Sequence, residues 1–182
     1  MTHARLVALL RARSVQQGDF VLSSGRHSAF YIDCRRTTMH AEGLSLVGEL
    51  GLAAIRRLGW RSDAVGGLTL GADPVAYAIA AASAERPPAV HGFTVRKAAK
   101  GHGTTRRIEG CFEPGMAVVV VEDVITTGAS ALEAARVVVA DGGVVSGVLA
   151  VVDREEGGLD AIVREGFSVH ALVGVRALLG TP

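Results

Sequence analysis

Two spacings of apolar residues divide this chain into helices and strands. Over residues 42–58, Leu44, Val47, Leu50, Ala54 and Leu58 recur every three or four positions, the repeat that keeps one face of a helix apolar. Residues 73–84 read as a second helix with Pro74 in its first turn, where an N–H has no helical partner to lose. Residues 129–141 give a third, stopped by Gly142-Gly143. Between the helices lie short apolar runs at 64–67, 89–95, 117–121, 144–152 and 168–173. The run at 117–121, Ala-Val-Val-Val-Val, has no polar alternation, as a strand requires when helices cover both faces of its sheet. Strands alternating with helices of this length predict an α/β fold, a doubly wound, mostly parallel sheet flanked by helices. Ahead of it, residues 1–13 set Leu6, Val7, Leu9 and Leu10 among Arg5, Arg11 and Arg13, an amphipathic helix rather than a secretory signal. Residues 20–33 read as a β-hairpin with Ser23-Ser24-Gly25-Arg26 at its middle. Helix and hairpin make a small hood over residues 1–40 beside a core over 41–182, and 182 residues call for one domain.

Composition then removes several function classes. Nineteen basic against eighteen acidic residues leave a net charge of +1, without the basic field that nucleic acid binding needs. Aromatics at 4% are too few for a base-stacking platform. Charged or polar residues break every apolar run before the ~18 residues of a membrane span, so the apolar content belongs to a core. Neither nucleic acid nor membrane is expected as a partner. Cys34 and Cys111 share no metal-ligand spacing, and nor do His3, His27, His40, His91 and His170. Reduced thiols in a cytoplasmic protein, with no dedicated metal cage, are the expectation.

Candidate chemistry starts where the 117–121 strand meets Glu122 and Asp123. Open α/β sheets bind ligands at the carboxyl ends of their strands, so this acidic pair should face a crevice. Val124, Ile125, Thr126, Thr127, Gly128, Ala129 and Ser130 follow, a small-residue turn opening a helix, whose N–H groups and dipole suit a phosphate. Carboxylates for hydroxyls and a turn for phosphate suggest a sugar phosphate. The competing reading of the turn is a capped helix, because Ser130 and Glu133 fit the S-x-x-E capping box. The acidic pair weighs against a purely structural role, since adjacent carboxylates repel one another and cost desolvation. A second stretch, residues 96–110, carries Arg96, Lys97, Lys100, His102, Arg106 and Arg107 with almost no apolar residues. It cannot bury a core face and reads either as a solvated connector or as a mobile lid over a polyanion.

The 118–130 segment resembles the ribose-phosphate motif of phosphoribosyltransferases, and Thr126 stands where the purine enzymes of that superfamily carry an Asp. Arg96, Lys97, Lys100, His102 and Gly103 are spaced like the Arg-Lys, Lys, His-Gly loop of orotate phosphoribosyltransferases. Phe20, Leu22, Ser24, Gly25, Arg26 and Ser28 are similar to that family's amino-terminal F-x-L-x-S-G-R-x-S segment, and Asp153-Arg154 to its Asp-Arg element. Four ordered motifs over most of the chain identify it as a member of this family. The resemblance implies transfer of a phosphoribosyl group from 5-phospho-α-D-ribose 1-diphosphate (PRPP) to orotate, giving orotidine 5′-monophosphate and diphosphate.

Residue roles follow by the same resemblance. Lys100, His102 and Asp123 are implied as catalytic. PRPP falls to Arg96, Lys97, Lys100, His102, Glu122, Asp123 and the turn from Val124 to Ser130, and orotate to Thr126, Arg154, Tyr31 and Ile32. Magnesium is implied as a cofactor held mainly by substrate oxygens, and a homodimer whose loop, residues 96–110, reaches the neighbouring site. Two positions depart from the pattern of some members, which carry Lys where this chain has Ser23 and Gly71. The rival readings are a regulatory protein that binds PRPP without turnover, or a phosphoribosyltransferase for another base.

Overall fold

The computed structural model of the chain describes residues 2–21, 27–98 and 107–180. Helix α1 (Thr2–Arg13) leads into an antiparallel pair, β1 (Val15–Val21) and β2 (His27–Ile32), then the short α2 (Arg35–Thr38) and the long α3 (Ala41–Arg57). The core follows as β3 (Ala64–Leu68), α4 (Ala72–Ala84), β4 (His91–Val95), β5 (Ile108–Gly110), β6 (Ala117–Ile125), α5 (Ala129–Ala140), β7 (Val144–Asp153), α6 (Gly158–Arg164), β8 (Val169–Gly174) and α7 (Val175–Leu179). Six strands form one sheet in the order β5-β4-β3-β6-β7-β8, parallel except for the edge pair β4–β5. The expected α/β architecture and its amino-terminal helix and hairpin are both present. Among the described residues no helix is long and apolar enough to cross a membrane.

The valines of β6 explain why this strand sits at the centre. Side chains alternate across a strand, and here Val119 and Val121 pack with Val47, Ile55 and Ile79 of α3 and α4, while Val118 and Val120 pack with Leu132, Ala135 and Val138 of α5. All four valines are fully buried. Full burial of each is worth about 1.5–3 kcal/mol, so the strand cannot turn over or slip without losing several such terms.

The hairpin expected over residues 20–33 begins earlier, at Val15, and two further boundaries that bear on the cleft differ from the sequence pattern. Strand β6 does not stop at Val121 but pairs with β7 as far as Ile125, opposite Asp153. Glu122 and Asp123 are therefore held within the last rungs of the ladder instead of beyond it. The basic segment, read as loop over residues 96–110, ends in β5, where Ile108, Glu109 and Gly110 pair with Val95, Thr94 and Phe93. Ile108 is buried, and a single apolar residue was enough to anchor an edge strand that a polar stretch otherwise conceals.

Close approach fixes β3 against its neighbours. A Cβ on Gly67 would lie 2.1 Å from the Val121 carbonyl oxygen and 2.7 Å from the Ala72 Cβ. The substitution Gly67→Ala is expected to cost about 1–3 kcal/mol through overpacking, read as a lower urea midpoint with an unchanged m value. An unchanged midpoint would contradict this packing.

Candidate active site

Strands β3 and β6 lie side by side, but the chain leaves them in opposite directions, β3 through α4 to β4 and β6 through α5 to β7. Diverging connections open a crevice at such a switch point. A cavity of about 250 Å³ occupies it, walled by residues 31–35 of the hood, residues 69–71 after β3, Lys97, Glu122 and Asp123. A smaller recess of about 90 Å³, lined by residues 124–131 and Glu122, opens beside it. Glu122, Val124 and Ser130 belong to both.

The acidic pair controls the electrostatics. Glu122 and Asp123 are only 6% and 7% exposed. Burial, followed by the charge of Asp123, pushes the Glu122 carboxyl well above its ordinary value, and burial also raises Asp123. Asp123 Oδ1 accepts the Val124 N–H at 2.8 Å. Glu122 Oε2 is buried with no hydrogen-bond partner among the described residues. An orphaned carboxylate oxygen in a walled cavity is costly unless a ligand meets it. The same two acids suit a hydroxyl pair or a hard cation, although no cluster of three or more ligating side chains occurs among the described residues.

The recess is built from the start of α5. Gly128 takes φ +82°, which a side chain would strain, and so turns the chain from β6 into the helix. The capping box does not form. The N-cap residue Gly128 has no side chain to cap α5, Ser130 lines the two cavities, and Glu133 instead accepts a hydrogen bond from Arg107 Nη2. Thr127 Oγ1 accepts the Ala129 N–H at a long 3.4 Å, and the N–H groups that follow in the first turn are available to whatever occupies the recess, an arrangement suited to phosphate. Thr126, Thr127, Gly128 and Ala129 line it together with Ile125.

Against Asp123, the turn at 69–71 is pinned by Asp73, whose carboxylate accepts Thr69 Oγ1–H at 2.7 Å and Thr94 Oγ1–H at 2.8 Å. The Thr69–Leu70 peptide is cis. At the roots of the basic segment, Arg107 donates to the carbonyls of Arg96 (2.9 Å) and Lys97 (3.1 Å) as well as to Glu133, tying both roots to α5. Lys97 lines the larger cavity. Arg96 does not; its guanidinium faces Glu109 on β5 at 3.4 Å. Lys100 and His102, and the hairpin turn with Ser23, lie outside the described residues.

Of the expected base-binding residues, Tyr31 and Ile32 line the larger cavity and Thr126 the recess. Arg154 lines neither. It is 8% exposed, donates from Nε to Glu156 at 2.8 Å and stacks over the Phe30 ring at 5.0 Å, just behind the hood wall. Three wall residues, Asp33, Cys34 and Arg35, carry no site role in the sequence pattern. The signal was available, since polar residues directly after an apolar strand end are what exposed Glu122 and Asp123.

No protein-family model matches the chain. Individual relatives do, over nearly its whole length. An orotate phosphoribosyltransferase of Aquifex aeolicus is 45% identical over 178 residues, covering 96% of this chain and 96% of the relative. One of Mycobacterium tuberculosis is 47% identical over 177 residues, covering 96% and 95%. Among solved structures, the M. tuberculosis orotate phosphoribosyltransferase in complex with PRPP superposes with a TM-score of 0.83 at 40% identity, over 98% of this chain and 99% of that one. Similarity of this extent, on a fold whose switch-point cleft carries the acidic pair and the phosphate turn, means that the chain belongs to the orotate phosphoribosyltransferase family.

Proposed function

We propose that this protein is a pentosyltransferase that joins orotate to the ribose of PRPP, releasing diphosphate and forming orotidine 5′-monophosphate, a step of pyrimidine nucleotide synthesis. The observation that carries the reading is the pair of contiguous cavities meeting at Glu122, Val124 and Ser130. One has a buried acidic pair and a lysine, the other a helix start with free N–H groups. A sugar with a 5′-phosphate at one end and a diphosphate at the other spans them.

Each side chain then has work its chemistry allows. The N–H groups and hydroxyls of residues 126–130 hold the 5′-phosphate, and Glu122 and Asp123 accept hydrogen bonds from the ribose hydroxyls. As the bond from C1 to the diphosphate breaks, positive charge grows on the sugar ring and negative charge on the leaving oxygens. The buried carboxylates stabilise the first, and Lys97, joined by Lys100 and His102 from the loop of the neighbouring subunit, stabilises the second. Arg96 would have to leave Glu109 to join them. Tyr31, Ile32, Thr126 and Arg154 serve orotate, Arg154 by turning its planar fork from Glu156 towards the carboxylate or carbonyl oxygens of the base. Magnesium, when bound, would supply neutralisation of charge on the leaving group. Glu122 and Asp123 fit its outer contacts because Glu122 Oε2 has no other partner among the described residues.

A homodimer is part of the same proposal, with Lys100 and His102 completing the cleft of the neighbouring subunit. Leu70, in the cleft wall, is 55% exposed, more than an apolar residue there need be in a lone subunit. The cytoplasm is the compartment we assign, in keeping with unpaired Cys34 and Cys111.

Purified protein with PRPP and magnesium should turn over orotate, and kcat/KM for uracil, which lacks the carboxylate, should be lower by ~10³-fold or more. Comparable turnover of uracil or of a purine would assign the cleft to another base, and PRPP binding without turnover of any base would favour the regulatory reading. Subunits carrying Lys100→Ala and subunits carrying Asp123→Asn should each be nearly inactive, yet regain activity when exchanged into hybrid dimers. Absence of recovery after verified exchange would mean that each loop serves its own cleft.

A further inference from the structure

The larger cavity holds a second cation beside Lys97. Arg35, in the first turn after the hood strand β2, lines it together with Lys97 and the 69–71 turn. Its backbone is fixed because Ile32 and Cys34 on the preceding positions are 4% and 0% exposed. Its side chain is fixed by Asp33, which accepts Arg35 Nε–H at 2.8 Å, Nη2–H at 3.3 Å and the backbone N–H at 3.2 Å. That clamp takes one edge of the guanidinium and leaves Nη1 with no partner among the described residues. The other arginines near the cleft are engaged elsewhere, Arg96 with Glu109 and Arg154 with Glu156.

The facing wall has no room for a cation. A Cβ on Gly71 would lie 2.5 Å from Asp123 Oδ1 and 2.9 Å from its Cγ, so a lysine there would need Asp123 to move. Asp33, Glu122 and Asp123 give the cavity three carboxylates, against Lys97 and Arg35 as its cations among the described lining residues. A diphosphate entering such a space needs fixed positive charge close by, and a planar fork held on one edge is preorganised to give its other edge to phosphate oxygens.

On the reading of the cleft as a PRPP site, we propose that Arg35, clamped by Asp33, is a diphosphate-binding residue that supplies from the hood the charge Gly71 cannot. Asp33 is its positioning residue. The neighbouring Arg36 is exposed and lines neither the cleft cavity nor the recess beside it, and its carbonyl accepts a hydrogen bond from Arg13.

Calorimetric binding of PRPP with magnesium, of inorganic diphosphate and of ribose 5-phosphate to the full chain tests this without any base present. Arg35→Gln should weaken PRPP and diphosphate by about tenfold or more, the loss of one charge-assisted contact, and ribose 5-phosphate by no more than about twofold. Arg35→Lys should recover part of the loss, Asp33→Asn should show a smaller loss of the same pattern, and Arg36→Gln should bind all three like the wild type. Equal weakening of ribose 5-phosphate, or the same effect from Arg36→Gln, would overturn the proposal, and so would a changed KM for orotate with PRPP binding intact. Should Arg35→Gln fail to fold, unchanged diphosphate binding by Arg35→Lys and Asp33→Asn would overturn it equally. Wild-type protein that binds no PRPP would remove the underlying function itself, a result separate from wild type and Arg35→Gln binding alike.

Discussion

Two carboxylates buried side by side at the end of β6 are the constraint to which the rest of the structure answers. Their placement opposes folding, because each loses water and each repels the other. What keeps them there is the strand behind them. Four fully buried valines, packed alternately against α3 and α4 on one face and α5 on the other, hold the register of β6, and pairing with β7 through Ile125 carries that rigidity past the acids. A site on a ladder rung is held more closely than a site on a loop, which matters for a reaction whose barrier depends on charge meeting charge at the right atoms.

The surroundings of the pair are shaped by what must approach it. Gly67 lets β3 and α4 close on the Val121 carbonyl, and Gly71 leaves the Asp123 carboxylate uncovered. Asp73 ties the 69–71 turn to Thr94 on β4, and Arg107 ties the roots of the basic segment to Glu133 on α5. The helix that follows the small-residue turn and the roots of the cationic segment are thereby joined through one ion pair.

Much of this was legible in the sequence because it follows from local rules. The unbroken valine run, the acids after it and the small-residue turn gave the strand, the crevice and the recess at the start of α5, and the periodic run at 42–58 gave α3 to within a residue at each end. What stayed hidden depends on partners distant in sequence. The Ser130–Glu133 spacing satisfied a capping box, but Arg107, 26 residues earlier, claims Glu133. Strand β5 shows only when β4 is beside it, since a lone Ile108 makes no pattern. Arg35 gains significance from lining the same cavity as Gly71, and Arg154, read as open to the base, rests against Phe30 and Glu156.

Thermal unfolding of the ligand-free protein as a function of pH, wild type against Glu122→Gln, tests the central claim most directly. With its folded pKa raised above the ordinary 4.5, Glu122 holds a proton in the folded state that the unfolded chain has already released. Stability it contributes is therefore present at low pH and lost as pH rises through the folded value. The wild-type midpoint should fall over that window, Glu122→Gln should lose this part of the decline, and the variant should melt higher near neutrality. A variant that melts lower than the wild type at neutral pH, with the same pH profile, would contradict it.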